Sequence, residues 1–250
     1  MGRQTGVRAG AVAAVLLLGV SGCGGSGGAG DGKTPRGPAA SASPVPSAPA
    51  ASSASPGGDA KPASGDVLPG MVSAAVARTQ LAALTTGKPG TMAGYSRDRF
   101  THWAEQGNKC DTRETVLKRD GGDVTQDAEC RAVSGSWKSL YDGAVVNEAS
   151  KLDIDHMVPL AEAWRSGASG WDAAKRKAFA NDLTRPQLLA VSAASNRSKG
   201  DQSPDLWQPP DRSSWCQYGR AWTTVKSHYG LTVADAERAM LTTMIDTCAA

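Results

Sequence analysis

The sequence predicts an α+β domain, mostly helical with a small amount of sheet and stabilised by disulfides. Three observations carry that expectation. Apolar residues recur at helical spacing in several stretches separated by Gly- and Pro-containing breaks. Two short segments, residues 152–155 and 187–191, read as the core strands. Setting Cys23 aside leaves Cys110, Cys130, Cys216 and Cys248, an even number in a chain that carries an export signal.

The N-terminus is a targeting segment. Arg3 and Arg8 form a positive start, and residues 9–20 form an apolar run too short to cross a bilayer comfortably. Val20-Ser21-Gly22-Cys23 resembles a bacterial lipobox, in which residues 1–22 are the signal peptide and Cys23 is lipidated. An ordinary secretory peptide with Cys23 incidental is the alternative. Both readings export the protein, either anchored to the outer face of the membrane through the lipid alone or secreted. Residues 23–70 are Gly, Ala, Ser and Pro with almost no large apolar side chains, so ordering them would cost more entropy than burial returns. They read as a disordered tether, extended where Pro is dense.

Residues 71–250 remain for one domain of ordinary size. All seven Trp fall within it, which supplies bulky core material beside only two Phe. Of the 27 basic residues two lie in the signal and three in the tether, and three of the 24 acidic ones lie in the tether. The domain's net charge is therefore only about +1, which gives no global electrostatic case for a nucleic-acid partner. Such a case must come from local clustering.

Through the domain, residues 72–84 read as a helix that stops before Gly87-Lys88-Pro89-Gly90, and residues 95–103 as loop with a short helix. Asp111 is a good N-cap for a helix running through Leu117. Residues 137–141 and 144–147 read as strands about an Asp142-Gly143 turn. Strand 152–155 precedes Pro159, after which helices are expected up to Gly167 and over 171–180. Strand 187–191 leads into a helix or turn holding Asn196. The C-terminus opens on a capping-box-like Thr232-Val233-Ala234-Asp235, with Ala236, Met240, Met244 and Cys248 as a packing face. Four cysteines allow three pairings. Cys110–Cys130 and Cys216–Cys248 are favoured because each closes a moderate loop to one side of the presumed core. A zinc site is disfavoured, since no Cys-x-x-Cys occurs and no His sits near these cysteines at ligand spacing.

The most informative stretch is Asp153-Ile154-Asp155-His156-Met157-Val158-Pro159, with Asn181 and then Asn196-Arg197-Ser198-Lys199-Gly200-Asp201 downstream. It resembles the HNH nucleases, whose ββα-metal core holds one divalent cation, and its wording is similar to the HNH domain of the RNA-guided DNA nucleases. Residues 100–248 resemble the secreted HNH-endonuclease-like proteins of actinobacteria, often placed under a domain of unknown function (type 1524).

The resemblance implies a ββα-metal core at about residues 137–201. His156 is the general base, with an ordinary pKa near 6.5 that suits proton abstraction. Asp155 and Asn196 are the metal ligands, with Asp153 as a further ligand or an outer partner. Asn181 is the middle Asn that orients the loop or the His backbone. Arg197 and Lys199 are candidate phosphate contacts, and so is Arg113 in the shared Cys-Asp-Thr-Arg phrase, where a buried Arg–Asp pair is an equal alternative. Asp155 and His156 are neighbours on a strand and alternate in direction, so a twist or bulge at the strand end is needed for both to meet one phosphate.

The family name implies a second His where this chain has Asn196. An amide oxygen is a hard ligand, so the variant favours Mg²⁺ or Mn²⁺ over zinc or nickel. His102 and His228 have no evident partners and read as ordinary surface or core residues. The implied function is hydrolysis of nucleic acid, DNA before RNA, with little sequence reading. A catalytically inactive surface lipoprotein that binds cell-wall polymer or a protein is the rival, and an exported toxin with an immunity partner is a third reading.

Overall fold

The computed structural model describes residues 68–249. The signal peptide, Cys23 and the tether up to residue 67 lie outside the described residues. Leu68 is already buried in the core, and Gly70 at φ +63° sits where a Cβ would lie 2.5 Å from the Thr184 carbonyl oxygen. The packed chain thus extends at least three residues before residue 71.

The centre is an antiparallel pair, β6 (Leu152–His156) with β7 (Leu188–Ser192), followed at once by helix α5 (Ala193–Lys199). Both faces of the pair are covered. Leu152, Ile154, Leu188 and Ala190 pack on helix α2 (Thr112–Asp120) and on Val124 and Trp137 from strands β3 (Gly122–Gln126) and β4 (Ala132–Lys138). Leu189 and Val191 face a larger core that includes Tyr141, Trp222 and Met244. Coverage on both sides explains why β7 is a continuous apolar run, Leu188-Leu189-Ala190-Val191, and not an alternating one.

Between the two strands the chain forms α3 (Leu160–Arg165) and α4 (Ala173–Ala180). Pro159, with no N–H to give a ladder, starts α3, and Asp172 caps α4 by accepting from the Lys175 N–H at 2.7 Å. Asp111 caps α2 through the Glu114 N–H at 2.8 Å, as the sequence suggests, but α2 continues three residues past Leu117.

The second core is made by α1 (Ala74–Ala83), α6 (Trp215–Tyr229) and α7 (Asp235–Ile245). Gly219 lets α7 close on α6, since a Cβ there would lie 2.9 Å from Met244 Cβ. The buried stripe of α7 is Glu237, Leu241, Met244 and Ile245, so the expected face is corrected: Ala236 is exposed and Met240 only half-buried. Glu237 lies inside because Lys226 Nζ meets it at 2.6 Å and Trp222 Nε1 donates to it at 2.6 Å. Its other oxygen accepts from the Ala234 N–H at 3.2 Å, half of a capping box, because alanine has no side-chain acceptor to complete it.

Both favoured cystine pairings form. Cys110–Cys130 joins β2 (Cys110–Asp111) to the turn before β4, and Cys216–Cys248 joins the start of α6 to the chain after α7. With partners 20 and 32 positions apart, each adds about 2–4 kcal/mol by restricting the unfolded chain.

Small sheets account for the rest. The strand β1 (Glu105–Gly107) pairs with β2, and β3, β4 and β5 (Val145–Val146) form a three-stranded meander. Trp137 Nε1 donates to the Leu117 carbonyl at 2.8 Å, fixing α2 against that meander. The chain around Asp142-Gly143 turns as expected, but β4 begins at Ala132, earlier than residue 137. Among the described residues no helix is long and apolar enough to cross a membrane.

Candidate active site

The strand end, α5 and the chain after α5 enclose a cavity of about 200 Å³. Asp155, His156 and Asn196 all line it, together with Tyr95, Arg97, Pro159 and Asp201 among others. The sequence thus brings its three principal candidates to one place. Of the twist or bulge expected at the strand end, no bulge occurs, because β6 and β7 pair in unbroken register to His156↔Leu188. The pleat sends Asp155 toward the larger core and His156 toward the α2 side. They share the cavity because the cavity spans the tip of the strand, where the ladder stops before Pro159.

His156 is buried, and its Nε2 lies 3.0 Å from the Ala180 carbonyl oxygen. A carbonyl only accepts, so Nε2 carries the proton. Burial disfavours the imidazolium and lowers the pKa to about 3; the Ala180 carbonyl opposes this, while Arg97, His102 and Lys199 add to it. The ring is therefore neutral near pH 7, with its lone pair on Nδ1. Trp103 packs beside it, ring centres 5.9 Å apart, and adopts φ +58°, an uncommon conformation for a bulky residue.

Asp155 is held from behind. Its Oδ2 accepts from Tyr141 Oη at 2.5 Å and from Lys199 Nζ at 2.7 Å. Lys199 has no exposed surface and also donates to the His156 carbonyl at 2.9 Å. Burial depresses its pKa, and the Asp155 carboxylate opposes that shift. The Tyr141 and Trp222 rings lie 5.9 and 5.7 Å from its ammonium. Lys199 is thus enclosed beneath Asp155 and does not line the cavity.

Asn196, on α5, donates Nδ2 to Asp153 Oδ2 at 3.1 Å. That bond fixes the amide plane. Among the described residues neither Asn196 Oδ1 nor Asp155 Oδ1 has a hydrogen-bond partner. One carboxylate oxygen and one amide oxygen form a hard donor pair at one cavity, which suits a small divalent cation that keeps most of its waters. Among the described residues there is no cluster of three or more His, Cys, Asp or Glu placed to hold a metal by themselves.

The remaining candidates stand elsewhere. Asn181 ends α4, its Oδ1 accepting from Ala104 N–H and Thr112 Oγ1, both at 2.8 Å, and its Nδ2 donating to the Thr101 and Lys177 carbonyls. Its amide therefore ties the 101–104 loop, which carries Trp103, to the helix end whose Ala180 carbonyl holds His156. Arg113 pairs with Glu114 at 2.5 Å and donates to the Ala149 carbonyl at 3.1 Å, away from the cavity and not with Asp111. Arg197 is exposed and does not line the cavity. Asp201 is anchored to α3 by Arg165 at 2.8 Å.

Sequence reasoning missed Arg97 and Tyr95. They lie outside the motif, and no local pattern marks them; only the fold brings them to the cavity at the strand tip. Residues 111–244, more than half of the chain, match the family described as GmrSD restriction endonucleases, C-terminal domain. The chain belongs to this family. An uncharacterized secreted protein of Arthroderma benhamiae is 51% identical over 189 residues, which are 76% of this chain and 93% of that protein. No solved structure matches the chain. Membership in an endonuclease family agrees with the HNH resemblance of the motif and gives nucleic-acid hydrolysis as its coarse activity.

Proposed function

We propose that this chain is an exported, divalent-metal-dependent endonuclease that hydrolyses phosphodiester bonds in DNA with little sequence discrimination. The observation that carries the reading is the meeting of Asp155, His156 and Asn196 on one small cavity in a chain of an endonuclease family. The strand β6 pairs antiparallel with β7 and α5 follows β7 directly, a strand–strand–helix unit like that of a ββα-metal core, with α3 and α4 inserted between the strands. The cavity is smaller than the about 300–1,000 Å³ of pockets that enclose a small molecule, which suits a backbone phosphate and not an extruded base.

Asp155 Oδ1 and Asn196 Oδ1 are the atoms that would hold the ion, Mg²⁺ or Mn²⁺, with Asp153 orienting the amide. When bound, the ion supplies Lewis acidity and neutralises charge on the phosphate oxygens. The chain's own work is positioning and proton transfer. Lys199 and Tyr141 fix Asp155 by one oxygen, leaving the other free. His156 takes the proton of the attacking water on Nδ1 as the new oxygen–phosphorus bond forms and one phosphoester bond breaks, the leaving oxygen taking a proton from solvent water, and the Ala180 carbonyl stabilises the imidazolium through Nε2–H. The low pKa of His156 makes it a weak base before substrate arrives. A bound phosphate would supply the missing counter-charge and raise it.

The leader and lipobox-like Cys23 support export, and the secreted relative is consistent with it. A plasmid-nicking assay on the full chain with Mg²⁺, Mn²⁺ or EDTA, beside His156→Ala, tests the reading. Cutting should require the metal and fall by at least about 10²-fold in the variant. A folded protein that cuts neither DNA nor RNA would sink the enzymatic reading in favour of a binding scaffold.

A further inference from the structure

A phosphodiester brings negative charge to the cavity, and three basic residues expected to meet it do not line that space. Lys199 is enclosed under Asp155, Arg113 is engaged on α2, and Arg197 is exposed off the cavity. The two carboxylates at the cavity already have cations, Asp155 with Lys199 and Asp201 with Arg165. Arg97 remains. It lines the cavity, and among the described residues its guanidinium has neither a hydrogen bond nor an ion pair.

The segment around Arg97 is well anchored. Tyr95 packs edge-on against Trp164 with ring centres 5.8 Å apart, and Phe100 is buried against Trp164 and Phe179. The Phe100 N–H donates to the Arg97 carbonyl at 3.0 Å, closing a one-turn helix over Arg97–Arg99. Its neighbour Arg99 takes the structural place, with its guanidinium 5.7 Å from the centre of the Trp164 ring. Arg97 is thus carried on a fixed turn between two aromatic anchors, and its charge acts on both Tyr95 and His156.

We infer that Arg97 is the phosphate-binding residue of this cavity, donating to a non-bridging oxygen of the phosphodiester beside His156. This rests on the nuclease reading above and names a contact that the motif does not contain. A planar guanidinium with paired donors suits a phosphate better than an ammonium does.

The test measures plasmid cleavage by the full chain as kcat/KM over a series of salt concentrations, for the parent, Arg97→Ala and Arg97→Lys. Arg97→Ala should lose about 10–100-fold in kcat/KM, the fold-change expected for one hydrogen bond to a charged group. Arg97→Lys should recover part of it. The slope of log kcat/KM against log salt should become shallower by about one for Arg97→Ala. Unfolding midpoints should not change, because no side-chain contact is lost.

If the parent cuts and Arg97→Ala stays within about twofold at every salt concentration, the assignment is overturned while the nuclease reading stands. If the parent does not cut, the nuclease reading fails, and binding of a short fluorescent DNA duplex in EDTA decides the residue. Weaker, less salt-sensitive binding by Arg97→Ala then supports it. Equal binding, or no binding by either protein, overturns it.

Discussion

Replacing Lys199 by Met should destabilise the domain severely, and the reason lies in one oxygen atom. Asp155 Oδ2 is buried between Tyr141 and the Lys199 ammonium, which has no exposed surface. Methionine fills much of the same volume but leaves a buried carboxylate with only a phenol as partner. Breaking a buried ion pair from one side costs about 3–5 kcal/mol, because the remaining charge is left uncompensated. At about 2–4 °C per kcal/mol for a domain of this size, the melting midpoint should fall by roughly 6–20 °C.

The partner variant Asp155→Asn, combined with Lys199→Met, removes both charges. The double variant should then recover most of the loss, as neutral replacement of a buried pair often does. Thermal unfolding followed by circular dichroism, with the disulfides kept oxidised, gives all four corners of the cycle. If the two changes simply add, the charges do not act as a unit and the account of Lys199 as a support for Asp155 fails. A Lys199→Met protein as stable as the parent would refute it outright.

Two further outcomes are expected. Burial by itself would raise the pKa of Asp182, but donors from Tyr229, Thr184 and Arg185 outweigh it and the net shift is downward. A depressed carboxylate contributes stability that is present above its unfolded pKa, about 3.9, and is lost as pH falls through the lower folded value. Asp182→Asn should therefore be less stable than the parent at neutral pH and flatten the loss below about pH 4, and an unchanged acid limb in chemical denaturation would show that those bonds do not hold the anion. Gly219→Ala should lower stability by about 1–3 kcal/mol although alanine favours a helix, because its Cβ would press on Met244 and Ile245; a gain in melting midpoint would mean that α7 can retreat at little cost.

Much of the local structure was legible in the chain. Asp111 caps α2 because a short carboxylate at a helix start satisfies free N–H groups there, and Pro159 ends the strand because it has no N–H to offer. The segments lost to sequence reasoning have weak local signals. Strand β3 and the start of β4 are built from Gly122-Asp123-Val124-Thr125 and Ala132-Val133-Ser134-Gly135, with little of the apolar alternation that marks a strand. The 15-residue helix α6 has no counterpart among the sequence expectations, because Gly219 and the β-branched Thr223-Thr224-Val225 weaken its helical signature. Its reason to exist is tertiary, the buried face it presents to α1 and α7.

The resemblance of residues 153–159 and 196–201 to the HNH motif grouped Asp155, His156 and Asn196, and loop length favoured the cysteine pairs that form. A motif's residues and a loop's length lie along the chain, so both are legible before folding. What each charge does depends on the packed fold. Lys199 and Arg197 differ by two positions, yet helix geometry turns one beneath Asp155 and the other to solvent. Arg97, remote from the motif, lines the cavity and has no carboxylate partner among the described residues. Charge type is written in the sequence, but burial and partners come from contacts between distant segments, and those decide whether a cation supports a neighbour or is free to meet a substrate.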